Sequence, residues 1–268
     1  MELAICSLAS GSSGNSYVIR SEKTALLVDA GISNKQICSG LEKLGLRAED
    51  LSGVFVTHEH SDHIKGLPVL LKRCGAKLYT TQLTADQLPV DPGRVRAVEP
   101  GEVLDAGDIE VSCFSLSHDA ADPVGYSFRS GGSVITVVTD TGTVTDDIRT
   151  FIGRSDILVL ESNHDVNMLR VGRYPWFLKQ RILSDRGHLS NEAAAVALAE
   201  VLKAESEAGA LKRRIVLLAH LSRENNFPEM ALATMENILQ DYGFTAGKET
   251  RIDVLKRDVM SALYTCGQ

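Results

Sequence analysis

Short apolar runs broken by Gly and Asp fill the first half of the chain, and runs of this kind bounded by turn formers predict strands. The candidates are Leu3–Leu8, Tyr17–Arg20, Ala25–Asp29, Val54–Thr57, Lys77–Thr80, Ile109–Leu116, Gly125–Arg129 and Ser133–Asp140. Helices are interspersed. Ser33 is placed to cap one in which Ile37, Leu41 and Leu44 share a face and which Gly45 stops, and a second follows His63 with Ile64, Leu67, Leu70 and Leu71. The second half alternates strand and helix: Ile157–Glu161, a helix from Ser190 to about Ala204, Ile215–His220, a helix from Pro228 to Gln240, and Arg251–Leu255. Strand-rich and alternating halves together predict an α/β fold of stacked mixed sheets with helices outside.

One regularity in this pattern carries chemistry. Apolar strand candidates end repeatedly in a metal-ligand type of side chain: Val54–Thr57 runs into His58, Ser112–Ser117 into His118, Val134–Thr139 into Asp140, Ile157–Leu160 into Glu161, and Ile215–Ala219 into His220. In α/β sheets, ligand-binding residues collect where strands end and loops begin. Turn formation alone would also place Asp and His at strand ends, but five such endings predict a polar site along one end of the sheets.

Composition narrows the class without identifying it. The 268 residues are 44% hydrophobic and 24% charged, ordinary for a soluble globular protein. A chain of this length can form one large domain or two small ones, and it contains no low-complexity segment, repeat or long linker; residues 1–268 are expected to form a single domain on the family resemblance given below. A net charge of −7, from 28 basic and 35 acidic side chains, argues against broad nonspecific attraction to nucleic acid, which wants a basic surface. The five cysteines are scattered without a C-x-x-C pair, which speaks against a thiolate site or disulfide framework and for a reducing cytoplasm. No apolar run approaches the length of a membrane span, and the N-terminal stretch lacks the basic n-region of a signal peptide.

The strongest motif is Thr57-His58-Glu59-His60-Ser61-Asp62-His63, directly after a strand candidate. Side chains two apart in an extended loop point to the same side, so His58 and His60 can grip one ion, and a tight turn then presents Asp62 and His63 to a second. Neutral imidazole and carboxylate suit Zn²⁺, Mn²⁺ or Fe²⁺, and the absence of thiolate leaves the choice among them open.

This segment matches the H-x-H-x-D-H motif of the metallo-β-lactamase superfamily, which the chain resembles across nearly its whole length. The resemblance implies a four-layer αβ/βα sandwich of two mixed sheets flanked by helices. It also implies a two-ion site, with Zn or Mn as the expected metals. His118, in Leu-Ser-His-Asp, is then the third imidazole on the first metal; Asp140, in Val-Thr-Asp-Thr-Gly, is the bridging carboxylate; His220, in Leu-Ala-His-Leu-Ser, completes the second. Ala9-Ser-Gly-Ser-Ser-Gly-Asn15, His118–Tyr126, Glu161-Ser-Asn-His-Asp165 and Gly187-His-Leu-Ser-Asn-Glu192 are similar to the bacterial WalJ/YycJ (VicX) branch. That branch implies 5′→3′ exonuclease action on double-stranded DNA.

Asp62 is expected to orient the attacking hydroxide as well as to ligate. For protonation of the leaving oxygen, His188 with Glu161 is the candidate, because similar Glu-Ala-Thr and Gly-His-Ser segments supply such a pair in the tRNase Z branch. A carboxylate beside His188 would favour imidazolium and a helix N-terminus would oppose it; the competing reading makes His188 a helix cap and Glu161 a core hydrogen-bonding group. His164 is a candidate substrate contact or a second support for the metals. Around it, Asp165–Arg186 is locally basic, with Arg170, Arg173, Lys179, Arg181 and Arg186 among Tyr174, Trp176 and Phe177. Arg170 and Arg173 head the substrate-binding candidates, as phosphate contacts beside aromatic rings that stack on bases; the alternative is an amphipathic cover with a solvated basic face.

The leading expectation is therefore a metal-dependent phosphodiesterase on nucleic acid, specifically a DNA exonuclease. The alternative is a small-molecule hydrolase cleaving a cyclic phosphodiester, thioester or lactone. A Glu161–His188 pair favours the first, because an alkoxide leaving group needs a proton more than a thiolate does. A redox diiron role is disfavoured, since such relatives carry Glu where His60 stands. Oligomeric state is not legible.

Overall fold

The computed structural model, which describes residues 3–267, contains two mixed sheets flanked by helices, the fold class expected. Its strands are β1 (Ala4–Ala9), β2 (Ser16–Arg20), β3 (Ala25–Val28), β4 (Leu51–Phe55), β5 (Lys77–Thr80), β6 (Val95–Ala97), β7 (Val103–Ala106), β8 (Ile109–Ser115), β9 (Val124–Ser130), β10 (Ser133–Val138), β11 (Ile157–Glu161), β12 (Arg214–Ala219), β13 (Thr250–Val254) and β14 (Tyr264–Thr265). The helices are α1 (Asn34–Lys43), α2 (Ser61–Ile64), α3 (Leu67–Arg73), α4 (Gln82–Ala85), α5 (Asp146–Arg154), α6 (Val166–Val171), α7 (Trp176–Ile182), α8 (Asn191–Glu207) and α9 (Pro228–Asp241). The chain divides into two compact units.

The first unit holds the described residues up to Ser115, Ala120–Ser133, and those from Lys256 onward. One sheet lies wholly within it, in the order β14-β1-β2-β3-β4-β5-β6. Its first strands pair antiparallel and β3 to β6 pair parallel. β7, β8 and β9 add an antiparallel ribbon, in which β8 alternates buried Ile109, Val111 and Cys113 with half-exposed Glu110 and Ser112. α1 starts on a capping box, Ser33 with Gln36, and Gly45 follows it at a φ of 73°, a left-handed position that glycine adopts without steric cost. Ile37 and Leu41 of α1 join Leu67, Leu70 and Leu71 of α3 in one core with Leu8, Val18, Leu27 and Val54. Burying each such side chain contributes roughly 1.5–3 kcal/mol.

The second unit, Leu116–Asp119 and Val134–Leu255, is built on parallel β10, β11, β12 and β13. β11 and β12 are buried along their whole length, which is why Ile-Leu-Val-Leu-Glu and Arg-Ile-Val-Leu-Leu-Ala read as continuous rather than alternating apolar runs. α8 packs on α9 and α5. Arg214, buried at the start of β12, is neutralised by Glu205 of α8, with Nη2 2.6 Å from Oε2.

Three strands were absent from the sequence expectation: β6, β7 and β14. All are edge strands, and an edge strand, open to solvent on one side, need not carry a long apolar run. α5 was also missed; Thr145 caps it, but only Ile148 and Ile152 anchor it.

Register sets up the site. In the second unit Val138 of β10 pairs with Leu160 of β11, and Glu161 pairs with Ala219 of β12. Asp140, Glu161 and His220 therefore leave the C-terminal ends of three adjacent parallel strands at nearly one level. In the first unit Val28 of β3 pairs with Phe55 of β4, which brings Asp29 beside the start of Val56-Thr57-His58.

Candidate functional site

In the first unit the histidine-rich loop is organised by Asp29, a residue the sequence reading left without a role. Its buried carboxylate accepts from the Thr57 amide (2.9 Å), from the Thr57 hydroxyl (3.0 Å) and from His63 Nδ1 (2.7 Å). The Thr57 hydroxyl, having given its proton to Asp29, accepts from His58 Nδ1 at 3.0 Å. Asn15 donates to His63 Nε2 at 3.1 Å and is itself held by the Gly11 backbone. Both imidazoles are thus fixed with the proton on Nδ1 and the lone pair on Nε2, the arrangement in which an outer-shell acceptor orients a metal-ligating histidine. Their ring centroids stand 4.1 Å apart, and those of His58 and His60 stand 4.6 Å apart. Asp62 is half-buried, with Oδ2 3.7 Å from His63 Nε2.

Backbone packing holds the loop in place. The Asn15 amide donates to the Asp62 carbonyl, the Ala30 amide to the His63 carbonyl, and the Gly31 amide to the Asn15 carbonyl. A Cβ on Gly31 would lie 1.6 Å from the Asp62 carbonyl oxygen, so only glycine lets the two segments meet.

In the second unit the organiser is Glu161. Its carboxylate is fully buried and accepts four hydrogen bonds: His188 Nδ1 and His220 Nδ1 on Oε1, each at 2.8 Å, and the Thr141 and Leu189 amides on Oε2 at 3.0 and 3.1 Å. Burial pushes the carboxyl up, but the charge of His188 and the bonds from both imidazoles outweigh it and hold Glu161 at about 2. Burial likewise pulls His188 down, and the adjacent Glu161 and Asp140 carboxylates override it, leaving the imidazole above its ordinary value. The sequence left open whether carboxylate or helix N-terminus governs His188; the Glu161 and Asp140 carboxylates stand 2.8 and 3.5 Å from its Nδ1.

His118 donates from Nδ1 to the Gly187 carbonyl at 2.9 Å, and its Nε2 lies 3.9 Å from Asp140 Oδ1. Burial lowers its pKa against the pull of Asp140, which keeps it neutral as a ligand requires. Asp140 Oδ1 is also 3.3 Å from His220 Nδ1 and 3.5 Å from His188 Nδ1. Ligand-type atoms of Asp140, Glu161, His188 and His220 all lie within 4.8 Å of one another. Because Glu161 is occupied by four donors, its role in this group is to orient the two imidazoles. His188 differs from His220 in access, with 20% side-chain exposure against 2%.

Four of the imidazoles proposed as ligands, His58, His63, His118 and His220, therefore share one design in which Nδ1 faces a fixed acceptor, and on His63 the Nε2 lone pair accepts from Asn15. The donors are nitrogen and oxygen alone. The five cysteines are free thiols lying outside both groups. That donor set fits a borderline or hard divalent cation such as Zn²⁺ or Mn²⁺. Among the described residues, the three non-glycine residues with positive φ are Asp29 (58°), Asp140 (61°) and His220 (56°). A left-handed conformation costs roughly 1–2 kcal/mol in a residue bearing a Cβ, and all three instances fall in these two clusters.

Other expectations are corrected. His164 is 1% exposed, and neither of its ring nitrogens has a hydrogen-bonding partner among the described residues; burial removes it from direct contact with a polymeric substrate and pushes its pKa to about 4, so it is neutral. Lys179 is buried and donates to the Arg170 and Gly172 carbonyls at 2.7 Å, so its charge caps α6 instead of meeting phosphate. Arg186 donates to the His118 carbonyl, and Arg181 is paired with Asp119. Arg170 and Arg173 are exposed. Asp29 and Asn15 had a legible signal: Asp29 ends a strand candidate as the five other site residues do, and Asn15 closes the Gly/Ser loop after β1.

A family model described as a beta-lactamase superfamily domain matches residues 24–208. The exodeoxyribonuclease YycJ of Bacillus anthracis is 42% identical over 259 residues, which cover 94% of this chain and 95% of that protein. The exodeoxyribonuclease WalJ of Streptococcus pneumoniae serotype 2 (strain D39 / NCTC 7466) is 40% identical over 252 residues, 91% of each. Among solved structures, the metallo-beta-lactamase fold protein YhfI from Bacillus subtilis superposes with a TM-score of 0.71 at 17% identity, covering 99% of this chain and 100% of that one. Zn²⁺-bound PqqB from Methylobacterium extorquens gives 0.69 at 17% identity, covering 97% and 99%. At such identities these two likenesses speak for the fold alone.

Proposed function

The chain belongs to the metallo-β-lactamase superfamily, alongside the exodeoxyribonucleases YycJ and WalJ, and from that premise we propose that it is a metal-dependent hydrolase that degrades DNA from an end. The finer reading is 5′→3′ action on double strands, in the cytoplasm, where its five free thiols would stay reduced. Residues 1–268 act in this reading as one domain. In this reading His58, His60 and His118 would hold one divalent ion, Asp62, His63 and His220 would hold a second, and Asp140 would contribute to the same site, with Zn or Mn as the metal. When bound, such ions supply Lewis acidity that activates water and polarises a phosphoryl oxygen.

The chain's own groups account for the rest of the reaction. Asp62 orients the attacking oxygen. His188, held as imidazolium by Glu161 and the more exposed of the two histidines on that carboxylate, gives its Nε2 proton to the leaving 3′- or 5′-oxygen. Glu161 stays ionised throughout and keeps Nδ1 protonated, so His188 can only release the proton that faces outward. The observation that carries this reading is the single carboxylate oxygen shared by His188 and His220 at 2.8 Å each. It ties a proton donor for an alkoxide leaving group to a residue of the ligand set. Hydrolysis of a small thioester, whose thiolate leaves unaided, would not need that donor, and the nuclease relatives match over nine-tenths of the chain.

The test is metal-depleted protein reloaded separately with Zn²⁺ or Mn²⁺ and offered end-labelled single and double strands. Progressive release of short products from the 5′ end of the duplex is expected. Internal cuts, or a rate no better than that of the metal-free protein with either ion, would overturn the reading.

A further inference from the structure

Between Glu161 and His188 the chain makes an excursion whose two ends are locked together at the site. The Glu161–His188 bond (2.8 Å), the Asn163 amide on the Leu189 carbonyl (2.9 Å) and the Asn191 amide on the His164 carbonyl (2.9 Å) close its base. Inside it, Lys179 bolts α7 to the last carbonyls of α6, the His188 amide returns to the Ile182 carbonyl at 3.0 Å, and Leu169 and Ile182 are buried beneath. The excursion is therefore a packed element standing on the catalytic groups. Yet its outward side is apolar in a way the packing does not explain: Val171 is 86% exposed, Trp176 67% and Phe177 72%. Exposing two aromatic side chains that follow one another in sequence forgoes their hydrophobic burial, and soluble surfaces seldom leave such patches without a use.

The charge around the rings indicates the occupant. Residues 166–184 contain no acidic side chain, although the whole chain carries 35 acidic against 28 basic groups. Of the cations in that stretch Lys179 is buried and Arg181 is paired with Asp119, which leaves Arg170 and Arg173 exposed a few positions before the rings in sequence. An apolar protein partner would not require a stretch without carboxylates of its own. A strand of nucleic acid does, because its phosphates are repelled by carboxylates while its bases present flat faces to aromatic rings.

We infer that this excursion is a stacking platform for an unpaired strand: Trp176 and Phe177 take the faces of successive bases, and Arg170 and Arg173 take the phosphates between them. The inference rests on the nuclease reading and deepens it. Bases in a duplex are stacked on one another and offer no free face, so the platform selects a single-stranded or frayed end. It delivers that end to groups fixed at the base of the same element.

Trp176 is the chain's single tryptophan, so its fluorescence reports on this surface alone. The metal-loaded full chain is titrated with a short phosphorothioate oligothymidylate, which resists cleavage, and with a blunt duplex of equal length; cleavage of an ordinary end-labelled duplex is followed separately. Single strand is expected to quench Trp176 more strongly than duplex. By anisotropy of a labelled oligonucleotide, Trp176→Ala with Phe177→Ala should weaken single-strand binding roughly 10- to 100-fold, with Trp176→Phe restoring most of it and thermal melting unchanged. Quenching without any cleavage would keep the platform and defeat the nuclease reading. Cleavage without quenching, with the double variant binding single strand as tightly as the parent, would defeat the platform and keep the nuclease. Sedimentation showing that the double variant turns a dimer into monomers would also overturn the inference, since a second copy would then cover the rings.

Discussion

Asp29 and Glu161 do the same work in different units: each is a buried carboxylate that holds two imidazoles by their Nδ1 protons, Asp29 directly for His63 and through Thr57 for His58, Glu161 directly for His188 and His220. Removing the charge without changing the shape isolates that work. Asp29→Asn should weaken divalent-metal binding by roughly 10- to 100-fold, the usual cost of losing an outer-shell partner, measured by competition with a chromophoric chelator. Affinity equal to the parent's would mean that Asp29 serves only the backbone of Thr57. His188 is tested through its leaving group. His188→Ala should slow hydrolysis of DNA by roughly 10²–10⁴ while a p-nitrophenyl phosphodiester, whose phenolate needs no proton, is cleaved nearly as before. The raised pKa of His188 adds a second signature. The acid form is present below that pKa and is lost as pH rises through it, so the parent's rate on DNA should fall on the alkaline side, and the variant should lack that limb. Equal slowing of both substrates would make His188 a positioning residue.

At the scale of elements, the site depends on loops pressed against each other more closely than side chains allow. The segment after β3 meets the start of α2 where Gly31 faces the Asp62 carbonyl, and the return to α8 passes Gly187, where an added Cβ would lie 2.2 Å from the Ile182 carbonyl. Gly31→Ala should cost about 1–3 kcal/mol through overpacking, visible as a fall in Tm on the order of 5 °C. It should also move Asp62 and His63 apart from Asn15, so metal affinity falls with stability. A variant that melts earlier yet binds metal as the parent does would show that the loop relaxes on the Gly31 side only. Simpler rules place the other helices: Ser33 and Ser190 cap α1 and α8, and α1 and α3 bury apolar faces in one core.

For the whole molecule, the proposed ligand set spreads from His58 to His220 along the chain, so metal binding and folding are coupled. An ion that binds only the folded chain stabilises it by RT ln(1 + [M]/Kd), about 2.7 kcal/mol at a hundredfold excess over Kd. Chelation should therefore lower Tm on the order of 5 °C or more, and either Zn²⁺ or Mn²⁺ should restore it. A melting curve indifferent to chelator, in protein shown to contain the metal beforehand, would contradict ligation by this set. Among the described residues no helix is long and apolar enough to cross a membrane.

The sequence by itself determined what local pattern can encode. The buried parallel strands, the capped α1 and α8, and the His58–His63 loop all followed from residue type and spacing within a few positions, and so did the placing of His118, Asp140, Glu161 and His220 at strand ends. Edge strands β6, β7 and β14 were lost because solvent on one side relaxes the pattern that marks a strand. Only the tertiary structure decided which groups touch. The bonds of Glu161 to His188 and His220 span 27 and 59 residues, and that of Asp29 to His63 spans 34; no periodicity records such pairs. It also decided charge. Lys179 reads as a phosphate contact in sequence and is a buried cap in the fold. The protonation of His188 could not be read from its neighbours in the chain, because the two carboxylates that raise its pKa reach it from the ends of β10 and β11.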